Sequence, residues 1–243
     1  MRTYVLGLPV DAVSLEEAAE WVLAALQRGR RAGEAGMLVV TLNPEIAVLS
    51  RTDRALGTAI RHADLSVADG VGITWAARRQ GVMLRGRVPG IDLVTRVLEL
   101  GGSQVDVFLL GGKPGVADAA GQLLQKRYGT RVLGTHHGYF MRPGEVAEVC
   151  EQVRSSGASL LLAGLGEGQE TFLHQHESDL GATVMIGVGG TLDVLAGKVR
   201  RMPGWTTRLG VEWLFRVVLD PRRWRRIPRL WRFAWLVIER RGR

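Results

Sequence analysis

The sequence predicts an α/β fold, a mostly parallel sheet with helices on both faces, followed by a basic helical C-terminal appendage. Short apolar runs rich in Val, Leu and Ile alternate with segments of helical periodicity. Such runs are typical of strands that are buried on both faces and joined by helices. Glycines follow several of these runs, at the strand ends where open α/β sheets bind ligands. The body is therefore predicted to be Rossmann-like, and an abrupt change of composition near residue 200 marks the start of the appendage.

Capping and turn residues define the first elements. The apolar run over 4–10 predicts the first strand. Ser14 and Glu17 form a capping box that begins a helix extending to about Gln27, and Pro44 is expected in the first turn of the next helix. The remaining strands are predicted at 37–42, 65–68, 105–110, 131–135, 159–165 and 183–188. Further helices are predicted near 91–100, 116–128, 143–156, 169–179 and 191–196.

The overall composition excludes several classes of protein. The 243 residues include 46% apolar and 23% charged residues, an ordinary globular usage that excludes wholesale disorder. A single cysteine, Cys150, excludes a disulfide framework and a cysteine-based zinc site. The histidines have no metal-ligand spacing, so we expect no protein-bound metal. The N-terminus lacks a signal-peptide pattern and no apolar run is long enough to cross a bilayer. We therefore expect a cytoplasmic protein whose membrane contact is peripheral.

The positive charge is concentrated at the end of the chain. The formal net charge is +8, from 32 Lys and Arg against 24 Asp and Glu. Residues 200–243 hold 13 of these basic residues and three of the acids, a net of +10, which leaves −2 for residues 1–199. The same segment holds five of the seven tryptophans. We therefore predict an α/β domain at 1–199 and a basic, Trp-rich helical appendage at 200–243 that has an acidic partner.

The appendage is predicted to form two helices separated at Asp220-Pro221. In the second helix, apolar residues and arginines occupy different faces, as in helices that lie in a membrane interface. The apolar face would consist of Ile227, Leu230, Trp231, Ala234, Trp235 and Ile238, and the basic face of Arg222, Arg225, Arg229 and Arg232. In one alternative, the apolar stripe packs on the body or on another subunit of a homo-oligomer and the arginines are solvated. In a second alternative, the appendage binds nucleic acid. Trp and Arg together favour an anionic membrane surface and no nucleic acid.

Glycine clusters follow three predicted strands. The clusters are Gly111-Gly112 with Gly115, Gly164 with Gly166 and Gly168, and Gly187 with Gly189-Gly190. Glycine lets the backbone approach a phosphate closely, and a following helix offers free N–H groups. Neither the G-x-G-x-x-G dinucleotide fingerprint nor a P-loop occurs. One such turn is uninformative, whereas three in register predict a nucleotide-diphosphate site.

Two short polar side chains follow the strand predicted at 37–42. Thr41 and Asn43 would suit a sugar or a phosphate at this sheet edge. Asn43 precedes Pro44, however, and on spacing alone a helix cap is the simpler interpretation.

A carboxylate and a basic loop follow the strand predicted at 65–68. Asp69 could act as a general base in the crevice, or it could cap the helix that begins at Val71. Arg85 and Arg87 lie in a loop ahead of the next helix, where an arginine could neutralise a diphosphate leaving group or could simply be solvated.

A set of short motifs occurs in order over most of the chain. They are Thr41-Leu-Asn-Pro-Glu45, Ala68-Asp-Gly70, Arg87-Val-Pro-Gly-Ile-Asp92, Gly111-Gly112, Gly166-Glu-Gly-Gln-Glu170, Gly187-Val-Gly-Gly-Thr-Leu-Asp193, Arg201-Met-Pro203, and residues 209–226 with Glu212-Trp213-Leu214, Arg216 and Pro221-Arg222. Together they resemble the WecG/TagA/CpsF family of glycosyltransferases. The chain departs from the family pattern at Pro89, at Met202 and in the shortened Gly166-Glu-Gly-Gln-Glu170, and the last of these bears on the choice of donor.

The resemblance implies a metal-independent, inverting enzyme without a cofactor that uses a UDP-sugar donor. It would transfer an N-acetylmannosamine-type sugar to a sugar carried on a polyprenyl diphosphate, here undecaprenyl diphosphate, in cell-envelope polysaccharide synthesis. Asp69 would be the general base, Thr41 and Asn43 would line the sugar site, Arg87 would lie near the diphosphate, and Gln169 would lie in the nucleotide pocket. Further substrate-binding residues would be Gly70, Asp92, Gly111, Gly112, Gly166, Glu170, Gly189, Gly190 and Asp193.

The resemblance also implies a role for the appendage. It would dock on the inner face of the cell membrane and bring arginines over the active site. The residues assigned to the membrane and the lipid diphosphate are Arg216, Arg222, Arg225, Arg226, Trp224, Trp231 and Trp235. Two alternatives from other classes are a nucleotide-dependent oxidoreductase, which the missing G-x-G-x-x-G disfavours, and a non-catalytic nucleotide-binding module recruited to the membrane.

Overall fold

A computed structural model describes residues 1–29, 36–140, 142–199, 224 and 227–239. Its strands are β1 (Arg2–Val5), β2 (Leu8–Asp11), β3 (Met37–Leu42), β4 (Leu65–Ala68), β5 (Asp106–Gly111), β6 (Arg131–His136), β7 (Leu160–Gly164) and β8 (Val184–Gly187). Its α-helices are α1 (Leu15–Arg28), α2 (Pro44–Leu49), α3 (Arg54–His62), α4 (Val71–Arg79), α5 (Gly90–Gly101), α6 (Val116–Tyr128), α7 (Glu145–Ser156), α8 (Gln169–Gln175), α9 (Thr191–Leu195) and α10 (Ile227–Glu239).

Six strands form one parallel sheet in the order β4-β3-β8-β7-β5-β6. Both faces are buried, because successive side chains of a strand point to opposite sides. In β3, Leu38 and Val40 join the core on one face and Val39 joins the core on the other. Helices α2, α3, α4, α7, α8 and α10 cover the first face, and α1, α5, α6 and α9 cover the second. The predicted α/β fold, with its mostly parallel sheet, helices on both faces and C-terminal helix, is confirmed.

The N-terminal run is a β-hairpin and not the single strand that we predicted. β1 and β2 pair antiparallel around a turn at Leu6 and Gly7, whose φ angles are 52° and 83°. Positive φ at both central positions is typical of a type I′ turn, and leucine seldom adopts it, so Leu6 gives no signal for this turn. The hairpin is fixed to the sheet by Asp11, whose Oδ2 accepts a hydrogen bond from the Ser66 N–H at 2.9 Å.

Helix α10 packs on the body through residues outside the apolar face that we predicted for the membrane. Phe233, Leu236 and Val237 are its buried residues, and the helix lies against α2 and α4. By contrast, Trp231 is 74% exposed and Trp235 is 59% exposed. The helix has apolar residues on two faces, so periodicity alone does not reveal which face the body covers.

The predicted basic face of α10 is only partly described. Arg229 forms an ion pair with Glu167 on the body, whereas Arg232 is exposed. Arg216, Arg222, Arg225 and Arg226, the proposed helix break at Asp220-Pro221 and the domain boundary at residue 200 lie outside the described residues. Trp224 is described and is 60% exposed. Within the described ranges, no helix has the length and apolar character that a transmembrane span requires.

Candidate active site

The four residues predicted to be catalytic meet at the carboxyl edge of β3 and β4. The two strands are paired with Leu42 opposite Ala68, and the Asp69 N–H donates to the Leu42 carbonyl at 2.8 Å. Asp69 therefore lies beside the segment that carries Asn43. The loop that contains Arg87 returns to the same edge, because the Val88 N–H donates to the Ala68 carbonyl at 2.8 Å.

Thr41 lies just beneath this edge. Its side chain is buried, and its Oγ1 donates to the Gly187 carbonyl of β8 at 2.9 Å. Gly90, the first residue of α5, lies directly against it, since a Cβ at Gly90 would come within 3.3 Å of Thr41 Cγ2. The hydroxyl thus ties β3 to β8 and retains acceptor capacity toward a ligand.

Asn43 is the N-cap of α2, as its spacing predicts. Its Oδ1 accepts hydrogen bonds from the N–H groups of Glu45 at 3.0 Å and Ile46 at 3.2 Å. The cap uses only the carbonyl end of the amide, and the Nδ2 group carries two further donors. Capping α2 and binding a sugar hydroxyl are therefore compatible roles for one side chain.

Asp69 does not occupy the N-cap of α4, contrary to the alternative interpretation of its position. Gly70 is the N-cap residue, with φ of 97°, and makes no side-chain cap. The positive φ favours glycine, which has no Cβ to clash with its own backbone. The turn at Gly70 leaves Asp69 half-buried at the sheet edge.

The glycine turns after β5 and β7 meet where the chain changes direction across the sheet. After β5 the chain crosses to β6 on one side, and after β7 it crosses to β8 on the other. Open α/β sheets bind ligands at such a switch point. Gly111 has φ of 141°, and a Cβ there would come within 2.3 Å of the Gly164 carbonyl oxygen. Gly112 donates its N–H to the same carbonyl at 3.1 Å. This close backbone contact requires glycine at position 111.

The other predicted binding residues lie at the same edge, but their contacts do not indicate a particular ligand. Gly166 and Gly189 have positive φ, and a Cβ at either would contact no atom of the described residues. Gly190 is the N-cap of α9. Asp92 and Asp193 lie in the first turns of α5 and α9, where a carboxylate interacts favourably with the helix dipole. Their roles in substrate binding stay predictions.

Gln169 and Glu170 form a buried polar pair behind the glycine turn of β8. They are only 6% and 2% exposed. Gln169 Oε1 accepts from the Gly189 N–H at 3.0 Å, and its Nε2 donates to Glu170 Oε1 at 2.8 Å. Desolvation by burial raises the pKa of the Glu170 carboxyl above its ordinary value. The family resemblance implies that Gln169 lies in the nucleotide pocket and that Glu170 binds substrate, but nothing in the sequence indicates that Glu170 is buried.

Comparison with known proteins identifies the family. The model of the "Glycosyl transferase WecG/TagA/CpsF family" matches residues 3–243. The chain belongs to this family. Similar proteins from Staphylococcus aureus strains NCTC 8325 / PS 47, COL and MRSA252 are each 36% identical to it over 196 residues. The match covers 80% of this chain and 75% of each relative, and each relative is named N-acetylglucosaminyldiphosphoundecaprenol N-acetyl-beta-D-mannosaminyltransferase.

Family membership decides between the three functional classes that the sequence left open. The chain is a glycosyltransferase, and the oxidoreductase and the non-catalytic module are set aside. Across the described part of the glycosyltransferase, no three or more His, Cys, Asp or Glu side chains are grouped so that they could hold a metal ion.

Replacing Glu170 by Gln should make the glycosyltransferase more stable at high pH. A raised pKa means that the folded protein holds a proton that the unfolded chain releases above about pH 4.3. The free energy of unfolding of the wild type therefore falls as the pH rises from the unfolded-state pKa through the higher folded-state pKa. Glutamine keeps an acceptor for Gln169 but has no ionisable proton. We expect the melting temperature of Glu170→Gln to exceed that of the wild type by a margin that grows from pH 5 to pH 8.

Thermal unfolding monitored by circular dichroism at four pH values measures this margin. Each kcal/mol of stability corresponds to roughly 2–4 °C for a domain of this size. Glu148→Gln is the matched control, because Glu148 is exposed on α7 and the same chemical change there should give a margin independent of pH. A Glu170→Gln margin that is also constant with pH would contradict a raised pKa for the buried Glu170 carboxyl.

Proposed function

We propose that this glycosyltransferase transfers an N-acetylmannosamine-type sugar from a UDP donor to a sugar carried on an undecaprenyl-diphosphate acceptor. The observation that carries the proposal is the meeting of Asp69, Asn43, Thr41 and the Arg87 loop at one sheet edge in a member of this family. The names of the S. aureus relatives support both the sugar and the lipid-linked acceptor.

Asp69 acts as the general base in the proposed reaction. Its carboxylate accepts the proton of the acceptor hydroxyl, and the oxygen attacks the anomeric carbon from the face opposite the nucleotide. The bond between the anomeric carbon and the phosphate oxygen breaks, and its electron pair leaves with UDP. This single displacement inverts the configuration at the anomeric carbon. Asn43 and Thr41 orient the transferred sugar.

Departure of UDP requires positive charge or hydrogen-bond donors on the nucleotide side. Arg87 supplies the charge from the loop between α4 and α5, and an arginine can bind two phosphate oxygens at once. The glycine turns at Gly112 and Gly189 bring backbone close to the diphosphate. In this proposal no metal ion is needed, because arginines and backbone N–H groups stabilise the leaving group. The appendage arginines at 216, 222, 225 and 226 would add to this charge.

The exposed tryptophans of α10 support peripheral attachment to the inner face of the cell membrane. Trp231 and Trp235 project from a helix whose other apolar face is already packed on the body. Amphipathic indole rings favour the interface between lipid and water, and the basic appendage is attracted to anionic lipid headgroups. Such attachment places the enzyme where its lipid-linked acceptor lies.

Assays with a panel of UDP-sugars test the reaction. We expect UDP-N-acetylmannosamine and a short polyprenyl-diphosphate-linked N-acetylglucosamine to yield UDP and a disaccharide-lipid of inverted configuration. UDP should also raise the melting temperature, as a ligand of the folded state does, whereas NAD should not. Turnover in excess chelator should equal turnover without it. Activity that is abolished by chelator and restored by an added metal ion would contradict the metal-independent mechanism. If only another UDP-sugar supports transfer, the proposed donor is wrong.

A further inference from the structure

An apolar groove extends along α4, directly beyond the catalytic edge. It has a volume of about 300 Å³ and is lined by Val71, Thr74, Trp75, Arg78, Val82, Met83 and Leu84. Trp75 is 37% exposed and Met83 is 76% exposed. A groove that leaves a tryptophan and a methionine in water is a feature that folding of the described residues does not explain.

Both walls of the groove begin at the active site. One wall is α4, whose first residue, Val71, follows Asp69 and Gly70. The other wall is the segment after α4, which returns to the catalytic edge at Val88, where the Val88 N–H donates to the Ala68 carbonyl. The groove therefore begins at Val71, two residues after Asp69.

Residues on the α4 wall form one stripe with spacing of three and four. The stripe runs from Val71 through Thr74 and Trp75 to Arg78 and extends over roughly 10 Å of helix at 1.5 Å per residue. The guanidinium carbon of Arg79 lies 5.8 Å from the Trp75 ring centroid, a cation–π contact that favours one orientation of the indole. A preordered aromatic side chain loses little conformational entropy when a ligand binds.

The opposite wall holds Met83 out of the core. Val82 and Leu84 pack partly against the core, and the Val82 N–H donates to the Ala77 carbonyl at 3.0 Å. The backbone of this segment is thus fixed on both sides of Met83. Methionine adapts its shape to irregular apolar ligands at little cost.

We propose that this groove binds the isoprene units next to the diphosphate of the lipid acceptor, an inference that rests on the proposed function. The groove is concave and mostly apolar, which suits a branched hydrocarbon chain. Arg87, at the catalytic edge where the groove begins, suits the anionic diphosphate at the head of that chain. A bilayer surface would instead be met by a convex apolar face such as that of Trp231 and Trp235.

The groove also lies next to the face that α10 covers. Phe233 of α10 packs over Gly72, where a Cβ would come within 3.5 Å of the Phe233 ring. Gly72 and Trp75 are three residues apart and lie on adjacent sides of α4. The proposed membrane-facing helix and the proposed chain-binding groove are therefore neighbours, and the isoprenoid chain could pass from one to the other.

Kinetics with two acceptors that differ only in their hydrocarbon test the groove. Both carry N-acetylglucosamine diphosphate, one on an undecaprenyl chain in detergent and the other on a short water-soluble alkyl chain. Met83→Glu places a charge in the groove at an exposed position, so we expect the fold to be kept. The KM for the undecaprenyl acceptor should rise at least tenfold, whereas kcat/KM for the short acceptor and the KM for the donor should not change. Trp75→Ala should act in the same direction.

Leu123→Glu is the matched control, since Leu123 is 44% exposed on α6 and lies outside the groove. It should leave both acceptors unaffected. The groove assignment is overturned if Met83→Glu slows both acceptors equally or slows neither. It is also overturned if the variant only weakens vesicle binding and leaves chain-length preference in detergent unchanged.

Direct binding separates the groove from the reaction. Undecaprenyl diphosphate without a sugar is titrated against the full chain, and Met83→Glu should weaken its binding at least tenfold. If wild type transfers no sugar but shows this difference, the proposed reaction fails and the groove stands. If wild type transfers sugar and the variant binds the lipid normally, the groove fails and the reaction stands.

Discussion

Asp69→Asn should lower the turnover number by about 10²–10⁴, the usual contribution of general base catalysis. Asparagine has nearly the same shape as aspartate but cannot accept the proton of the acceptor hydroxyl. Because Asp69 is half-buried at the sheet edge and does not cap α4, the substitution should leave the fold and the nucleotide pocket intact. Turnover is measured as UDP release with saturating acceptor, and UDP affinity by the shift in melting temperature.

Asp179→Asn is a suitable control for this variant. Asp179 is exposed and lies in the segment between α8 and the amino end of β8, whereas Asp69 lies at the carboxyl ends of the strands. The same chemical change at Asp179 should therefore leave turnover near the wild-type value. If Asp69→Asn retains wild-type turnover, another group removes the proton and the proposed mechanism is wrong. If it loses UDP binding together with turnover, Asp69 belongs to the donor site and not to the acceptor side.

The elements that could be predicted are those whose residues have one physical explanation. Runs such as 160–164, apolar at nearly every position, can be buried only between two layers, and β7 is indeed covered on both faces. The capping box of Ser14 and Glu17 is present at the start of α1. Asn43 caps α2 from the position that its spacing predicts. In each case a local hydrogen bond, or the apolar pattern along the strand, is sufficient to predict the element.

The features that could not be predicted depend on tertiary contacts. Leu6 does not predict a turn, because a position with its positive φ is normally occupied by glycine or asparagine. The inner face of α10 is decided by Phe233 packing over Gly72, a contact between residues far apart in sequence. The burial of Glu170 likewise depends on β8. Sequence motifs therefore identified residues that converge at one edge of the sheet, but not which of the polar residues there support the backbone from within.

Removing the exposed indoles of α10 should abolish most of the membrane affinity. In Trp231→Ser/Trp235→Ser, two side chains that are 74% and 59% exposed in water are lost, and Phe233 still anchors the helix to the body. Burying one large apolar side chain contributes about 1.5–3 kcal/mol. Two such losses correspond to at least a hundredfold weaker binding, since each 1.4 kcal/mol is tenfold. Sedimentation with anionic vesicles measures the change, and the melting temperature should stay near that of wild type.

The same variant distinguishes the membrane from a second subunit as the partner of this face. Leu133→Ser is the control, because Leu133 is 42% exposed on β6 at the opposite edge of the sheet, and it should not change vesicle binding. If the double variant binds vesicles like wild type but its mass by sedimentation falls to that of a monomer, the indoles form a contact between subunits. If vesicle binding falls while the mass is unchanged, the indoles face lipid. The binding that remains should weaken with salt, because the arginines of the appendage still attract anionic headgroups at about 1 kcal/mol each.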